Sequence, residues 1–104
     1  MGFGNMQQMM KQVQKMQRDM QRVQEELKER EVEGSAGGGA VQVVMTCGFD
    51  VKSVAIKAEA VDPSDPEFLA EIVRQAMQSA LDRIQEVTQS EMGKVTGGMR
   101  LPGM

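Results

Sequence analysis

Four positively charged residues near the start of the chain follow a helical spacing. They are Lys11, Lys15, Arg18 and Arg22, separated by 4, 3 and 4 residues. In a helix, that spacing places all four side chains on one side. They would rise through about 16 Å at ~1.5 Å per residue, and could follow the phosphates of a nucleic-acid strand, which lie ~7 Å apart for every two nucleotides. These residue types therefore suit electrostatic binding of a polyanion.

The polar residues around these cations allow two interpretations. The first is an ordinary solvated helix face, in which glutamates commonly pair with cations at i, i+4. However, residues 7–24 hold seven glutamines, four cations and a single acid, Asp19. Glutamines can hydrogen-bond phosphates or base edges, which favours the second interpretation, nucleic-acid binding. The spacing alone leaves both open, and nothing in the segment encodes a preference for a base sequence.

Charge is unevenly distributed along the chain. The net charge is -3, yet residues 1–24 sum to +3 and residues 25–33 to -3. Two further cations, Lys94 and Arg100, lie in the last thirteen residues. Because local fields steer molecular encounter more than total charge does, both ends of the chain are candidate anion-binding regions.

No group of residues matches a catalytic, metal or cofactor site. The chain has no histidine and no tyrosine, and its one cysteine, Cys47, falls in a predicted strand, where it suits a small core residue rather than a nucleophile. The glycine-rich segment 34–40 fits neither common phosphate-loop pattern and precedes a strand instead of a helix. The carboxylates of Asp62, Asp65 and Glu67 lack the continuation of a calcium loop. We therefore predict a protein that is not an enzyme and takes no metal, cofactor or small-molecule substrate.

The single cysteine also bears on the cellular compartment. It excludes a disulfide within the chain and fits a reducing environment. No apolar run is long enough to form a signal peptide or to span a bilayer. These features predict a cytoplasmic protein with no membrane partner.

A long amphipathic helix must position the four cations. Apolar residues recur at steps of 3 and 4 from Met6 to Leu27, between strong helix formers, and predict a helix over residues 6–29. In this heptad frame the cations lie on the side facing away from the apolar seam.

A second long helix is predicted over residues 66–92. Asp65 suits the N-cap, Pro66 the first helical position, and the apolar residues beyond them again repeat at three and four. The last twelve residues contain five glycines or prolines. They predict a flexible tail over 93–104, after a single domain over 1–92.

Three strands are predicted between the helices. Residues 40–47 alternate, with Val41, Val43, Met45 and Cys47 on one face, and a turn at residues 48–50 leads into a second strand, in which Val54, Ile56 and Ala58 form the apolar side. A third, short strand around residues 30–33 precedes the glycine-rich loop. The chain is thus predicted to be an α+β protein of order α-β-β-β-α, with a three-stranded antiparallel sheet and two long helices.

The size of this sheet predicts self-association. Strands of about 6 residues span roughly 20 Å, whereas the first helix is roughly 35 Å long, so part of its apolar stripe would remain in water. Burying several methionines would favour a homodimer by several kcal/mol at ~25 cal/mol per Å², before the cost of association. The predicted contact residues are Met6, Met9, Val13, Met16 and Met20. Alternatively, the stripe stays open as an adaptable binding surface, a use to which methionine is suited.

Several segments together resemble one protein family. Four segments are similar to the YbaB/EbfC family of bacterial nucleoid-associated proteins. They are the helix MKQVQKMQRDMQRVQEEL (10–27), the valine- and isoleucine-rich hairpin, the helix start DPSDPEFL (62–69) and the ending GGMRLPG (97–103). The resemblance covers nearly the whole chain. It implies a tweezer-like homodimer whose projecting helices bind duplex DNA, with a role in nucleoid organisation and gene regulation in the bacterial cytoplasm.

By position, this resemblance implies DNA contacts from the first helix and from the C-terminal part of the second. The main candidates are Lys11, Lys15, Arg18 and Arg22, and secondary candidates are Lys94 and Arg100. Two other functions stay open. A prefoldin-like chaperone would use its helices as coiled-coil arms, and a membrane-surface protein would insert the methionines among lipids, although the many glutamines and the absence of tryptophan disfavour the latter.

Overall fold

The computed structural model of the protein describes residues 2–96, with side chains described over residues 4–95. Helix α1 spans Gly2–Glu29. It is followed by strands β1 (Glu31–Ala36), β2 (Val41–Thr46) and β3 (Val51–Ile56), a single 3-10 turn (Ala58–Ala60) and helix α2 (Pro66–Thr96). This order confirms the predicted α-β-β-β-α protomer. No helix in the described part of the chain is long and apolar enough to cross a membrane.

Helix α2 begins as its sequence predicts and ends later. The Asp65 carboxylate accepts a hydrogen bond from the backbone N–H of Phe68, at 3.2 Å, and caps the helix, with Pro66 in its first turn. The helix continues to Thr96, four residues beyond the predicted end, because Met92 and Val95 pack partly against the core. The remaining residues of the predicted tail, 97–104, lie outside the described residues, and the division into a domain and a tail stays a prediction.

The three strands form an antiparallel sheet in the order β1-β2-β3. Strand β1 reaches Ala36, so the glycine-rich loop is shorter than the predicted 34–40. Only residues 37–40 form the turn, in which Gly37, Gly38 and Gly39 have positive φ angles that favour glycine.

Gly34 belongs to the strand because it makes the closest contact between sheet and helix. A Cβ atom placed on Gly34 would lie 2.3 Å from the backbone nitrogen of Ala80 and 2.4 Å from the carbonyl oxygen of Ala76. Both alanines are fully buried. The backbones of β1 and α2 therefore meet directly, and small residues at all three positions permit that contact.

The core lies between α2 and the first two strands. Helix α2 contributes Ile72 and Ile84 beside the alanines, and β2 contributes Val41, Val43 and Met45. The C-terminal half of α1 adds Val23 and Leu27. Thr46 is also buried, although alternation places it on the outer face of β2, and its hydroxyl accepts hydrogen bonds from the backbone N–H groups of Gly48 and Asp50 in the next turn.

The N-terminal half of α1 extends beyond this core. The protomer measures 76 × 25 × 16 Å, and Met6, Met9 and Val13 are each more than half exposed. Met16 and Met20 are half-buried. As expected from the lengths of helix and sheet, the start of the apolar stripe is uncovered in the protomer.

Candidate nucleic-acid interface

The four cations of α1 form one exposed ridge. We call Lys11, Lys15, Arg18 and Arg22 the cationic ridge. All four side chains are exposed, and helical geometry places them opposite the seam that carries Val23 and Leu27 into the core. Since Val23 is the first buried residue in the described part of α1, residues 4–29, the ridge lies on the part of the helix that extends away from the sheet.

Most of the ridge has no intramolecular counter-charge. Lys11, Lys15 and Arg18 form no ion pair within the described residues. Arg22 approaches Asp19 at 3.7 Å and Glu26 at 3.8 Å, and its side chain stays 65% exposed. Exposed pairs at such distances stabilise a protein by at most ~1 kcal/mol, so even Arg22 can exchange its carboxylates for a phosphate.

The ridge becomes less positive toward the sheet. A shallow polar depression on the helix surface is lined by Arg18, Gln21, Arg22 and Glu25. The Glu25 carboxylate in this depression would repel a phosphate. No acid of α1 lies within four residues of Lys11, and the one acid within four residues of Lys15 is Asp19, which approaches Arg22. The strongest anion-binding part of the ridge is therefore its outer end, near the helix N-terminus.

Lys94 does not belong to this ridge. Its ammonium group lies 3.1 Å from a carboxylate oxygen of Glu91, and the same oxygen accepts a hydrogen bond of 2.9 Å from the guanidinium of Arg30. Lys94 is thus neutralised by a carboxylate that also binds Arg30, the residue that directly follows the C-terminal end of α1. The bonds from Lys94, and then from Arg30, hold the pKa of Glu91 below its usual value. The other secondary candidate, Arg100, lies outside the described residues.

The predicted dimer-contact residues are split between two environments. An apolar hollow on the extended part of α1 is lined by Met6, Met9, Met10 and Val13. Met16 and Met20 are half-buried nearer the core. The contact itself remains a prediction.

Cys47 has the environment of a core residue. Its side chain is buried, although Cys47 lies in the turn directly after β2 and not in the strand as predicted. Burial raises the pKa of the thiol, more than the charge of Arg30 and a hydrogen bond with Thr88 lower it. A thiol that is protonated and inaccessible is a poor nucleophile. Among the residues that the structure describes, no three acidic or cysteine side chains are grouped so as to hold a metal ion.

Sequence reasoning missed an exposed apolar surface on β3. All six residues of this strand are exposed, including Val51, Val54 and Ile56. Alternation marked Val54 and Ile56 as an apolar face, but it cannot tell whether another element covers that face. The neighbouring Phe49, an aromatic residue in a predicted turn, was the available signal.

Comparisons with known proteins agree with this architecture. The sequence profile of the YbaB/EbfC DNA-binding family matches residues 1–99. A nucleoid-associated protein of Staphylococcus carnosus is 58% identical over 103 residues, covering 99% of this chain and 98% of the relative. A nucleoid-associated protein of Alkaliphilus metalliredigens is 50% identical, covering 99% and 90%.

A solved structure shares the fold at much lower identity. The crystal structure of an uncharacterized protein, HP0035, from Helicobacter pylori superposes with a TM-score of 0.64 at 17% identity, covering 86% of this chain and 91% of that one. At that identity the likeness concerns the fold alone. The profile match over nearly the whole chain, with relatives identical at half or more of their positions, shows that this chain belongs to the YbaB/EbfC DNA-binding family.

Proposed function

We propose that the protein is a nucleoid-associated protein that binds duplex DNA through the cationic ridge, as a homodimer whose α1 helices project from a shared body. The observation that carries this proposal is the exposure of the ridge, with three of its four cations unpaired within residues 4–95. The family's DNA-binding description and the names of the relatives support it. That family is characterised by DNA binding and not by an enzymatic reaction.

The acidic net charge is compatible with this function because of where the acids lie. Residues 25–33, at the inner end of α1 and the start of β1, carry the excess of glutamates. A duplex approaching the outer end of α1 meets Lys11 and Lys15 first. At ~0.15 M salt, charges beyond ~8 Å are largely screened, so these glutamates weaken binding at the outer end little while disfavouring DNA contact with the sheet.

We further propose that the protein acts in nucleoid organisation and gene regulation, in the cytoplasm and in association with the nucleoid. A projecting ridge that touches phosphates carries no sequence information, and favours broad binding along the chromosome over a single target site. Lys94 and Arg100 would contribute less than the ridge, and Lys94 would first have to leave Glu91.

A salt titration of duplex binding tests the proposal. The logarithm of the affinity should fall with the logarithm of salt concentration at ~0.9 per phosphate neutralised, which gives a slope of about 3 to 4 for one ridge and about twice that for two. Changing all four ridge residues to glutamine should remove detectable binding in a gel shift, with helix content unchanged because glutamine is a good helix former.

A matched pair of double variants separates the ridge from general charge effects. Lys11→Gln/Lys15→Gln should weaken binding at least tenfold, whereas Arg74→Gln/Arg83→Gln, which removes two exposed cations that pair with glutamates on α2, should leave it within about threefold. If both pairs weaken binding equally, or if the quadruple variant binds like the parent, the ridge is only a solvated helix face.

The exposed methionines favour a second candidate function. Met6, Met9, Met10 and Val13 offer an adaptable apolar surface to other polypeptides, as a chaperone-like arm would. Such a protein should suppress the aggregation of a denatured client without sensitivity to salt. Suppression that survives in the quadruple ridge variant, with no duplex binding by the parent, would favour this function over DNA binding.

A further inference from the structure

The direction of the cationic ridge is set where α1 meets the sheet. We call residues 4–22 of α1 the projecting segment, because the core buries α1 only from Val23 onward within the described residues. A single residue, Arg30, separates the end of α1 from the start of β1. Since there is no linker between helix and strand, the contacts around Arg30 decide the direction in which the projecting segment points.

Backbone hydrogen bonds hold Arg30 on both sides. Its N–H donates to the carbonyl oxygens of Glu26 and Leu27, at 3.1 and 3.2 Å, and completes the last turn of α1. Its carbonyl oxygen accepts a bond of 2.8 Å from the N–H of Cys47, one step beyond the pairing of β1 with β2. The backbone of Arg30 is therefore tied to the helix and to the sheet, and has little freedom to bend.

The turn after β2 lies directly against the last turn of α1. A Cβ atom placed on Gly48 would lie 3.0 Å from the Cα atom of Lys28 and 3.2 Å from its carbonyl oxygen, closer than Cβ atoms usually approach. Gly48 is not among the glycines with a positive φ angle, so the turn itself does not require glycine at this position. The contact with Lys28 does require it.

This turn, residues 47–50, is firmly held. The N–H of Thr46 donates to the carbonyl oxygen of Asp50 at 2.8 Å, and its carbonyl oxygen accepts from the N–H of Phe49 at 3.0 Å. The Thr46 hydroxyl accepts two further N–H groups. Phe49 has a φ angle of 69°, which bulky residues keep only where the surroundings impose it. The turn can therefore act as a fixed stop for the end of α1.

The ion pair beside Arg30 is a weaker constraint than this contact. The guanidinium of Arg30 lies 2.9 Å from a carboxylate oxygen of Glu91 on α2, but the arginine side chain is 51% exposed. Exposed ion pairs gain little from their attraction and are screened by salt, whereas closely packed atoms compress very little. The steric contact at Gly48 therefore constrains the direction of α1 more than the ion pair does.

A small displacement at Lys28 grows along the projecting segment. With Val23 as the pivot, Lys28 lies five residues, or ~7.5 Å, to one side, and Lys11 lies twelve residues, or ~18 Å, to the other. A branched side chain at position 48 would shift the Lys28 backbone by about 1 Å and would thus move Lys11 by roughly 2.4 Å in the other direction.

Such a movement matters for a pair of ridges that bind one duplex. In a two-fold pair the distance between the two ridges would change by up to twice the movement of one, or roughly 5 Å. Phosphates that are two nucleotides apart on a strand are separated by ~7 Å. The second ridge would therefore lose its alignment with the phosphates while the first ridge is bound.

We propose that Gly48 is a positioning residue for DNA binding: it lets the 47–50 turn lie against Lys28, which fixes the direction of the projecting segment and the spacing of the two cationic ridges on a duplex. This inference rests on the ridge and the homodimer of the proposed function. It assigns a role in binding to a residue at the base of α1, about 25 Å along the helix from Lys11.

A distance measured within one chain tests the joint without DNA. Spin labels are placed at Gln8→Cys on the projecting segment and Gln42→Cys on β2, both exposed positions, in a Cys47→Ala background. Excess unlabelled chain separates labelled copies. Gly48→Val should shift the mean label distance by roughly 2–3 Å, since Gln8 lies ~22 Å from Val23. An unchanged distance would overturn the assignment.

Two control variants separate the steric contact from other effects. Gly93→Ala, whose Cβ would meet nothing within 4 Å, should leave the label distance unchanged. Glu91→Gln removes the charge that pairs with Arg30 and should also leave it unchanged. If Glu91→Gln moves the label as far as Gly48→Val does, the ion pair fixes the direction of α1 and the assignment to Gly48 is wrong.

The salt dependence of duplex binding connects the joint to function. Gly48→Val keeps all four ridge cations, so one ridge can still bind. The slope against the logarithm of salt concentration should fall from the value for two ridges to about 3 to 4, the value for one, and the affinity at low salt should fall at least tenfold. A variant that is only less stable would keep the parental slope in its folded fraction, and that result would overturn the positioning role.

Gly48→Ala keeps the test decisive if the valine variant does not fold. Its methyl group requires a shift of only a few tenths of an ångström, so the affinity should fall about threefold, with an unchanged mass in light scattering and unchanged helix content in circular dichroism. Parental affinity in Gly48→Ala, together with an unfolded Gly48→Val, would reduce Gly48 to a folding residue. If the parent binds no duplex DNA, the proposed function fails, and the label distances still decide whether Gly48 fixes the direction of α1.

Discussion

The close contact between Gly34 and α2 predicts a large effect of one added methyl group. In Gly34→Ala the new Cβ would lie 2.3 to 2.7 Å from three backbone atoms of Ala76 and Ala80. Ordinary contacts begin near 3.4 Å, so α2 would have to move away from β1 by about 1 Å. No side chain can rotate to relieve the clash, because all three atoms belong to the helix backbone.

The cost follows from this geometry. Overpacking a core typically costs about 1–3 kcal/mol, and sometimes more, and a clash with backbone belongs at the upper end of that range. Alanine also reduces the conformational freedom of the unfolded chain, but this offsets only about 0.4–1 kcal/mol of the loss in the free energy of unfolding. We therefore expect Gly34→Ala to lower the free energy of unfolding by about 2–4 kcal/mol, a large part of the ~5–15 kcal/mol available to a small domain.

Urea unfolding followed by far-ultraviolet circular dichroism measures this loss. With a slope of ~1–2 kcal/mol per molar urea, the midpoint should fall by roughly 1–4 M. All variants are compared at one protein concentration, because self-association shifts apparent stability. Gly93→Ala is the matched control. Its Cβ would meet nothing within 4 Å in α2, so stability should hold or rise by up to ~1 kcal/mol. If Gly34→Ala is as stable as the parent, α2 does not pack directly on the β1 backbone.

Three further predictions concern polar and titratable groups. Glu91→Gln should lower the free energy of unfolding at pH 7. Its difference from the parent should vanish as the pH falls through the lowered folded pKa of Glu91, because a depressed carboxylate pKa stabilises the folded state only while the group is ionised; a difference that persists in strong acid would contradict this. Thr46→Val should lower the free energy of unfolding, measured in urea, by about 1–3 kcal/mol, since it leaves two backbone N–H groups without their acceptor. An unchanged midpoint would show that water replaces the hydroxyl. The native Cys47 thiol should react with iodoacetamide more than tenfold slower than in unfolded protein, because it is buried with a raised pKa; equal rates would place it at the surface.

The helices and their order could be predicted from local signals. The heptad spacing of α1, the cap at Asp65 with Pro66 behind it, and the alternation in β2 each act within a few residues, and the structure has all of them. The cationic ridge is of the same kind, since spacing on a helix decides which side chains share a face. The element bounds were less predictable, because packing of Met92 and Val95 carried α2 past Gly93.

The pairing of charges required the tertiary structure. In the structure the Glu91 carboxylate pairs with Lys94 and also with Arg30, which lies 61 positions away in the chain, and no local pattern in the sequence predicts that second pairing. Gly34 likewise looked like part of a loop, and only the approach of α2 explains why a glycine extends β1.

What the amino-acid sequence determined by itself was periodicity: two amphipathic helices, three short strands, and an outward row of cations on the first helix. Only the tertiary structure decided which apolar faces are covered, because burial depends on the elements that pack against a face and not on the face's own pattern. Val43 and Val54 are directly paired on neighbouring strands, yet α2 buries the first and leaves the second half exposed. That difference cannot be seen in the alternation of either strand, and it leaves the apolar side of β3 exposed.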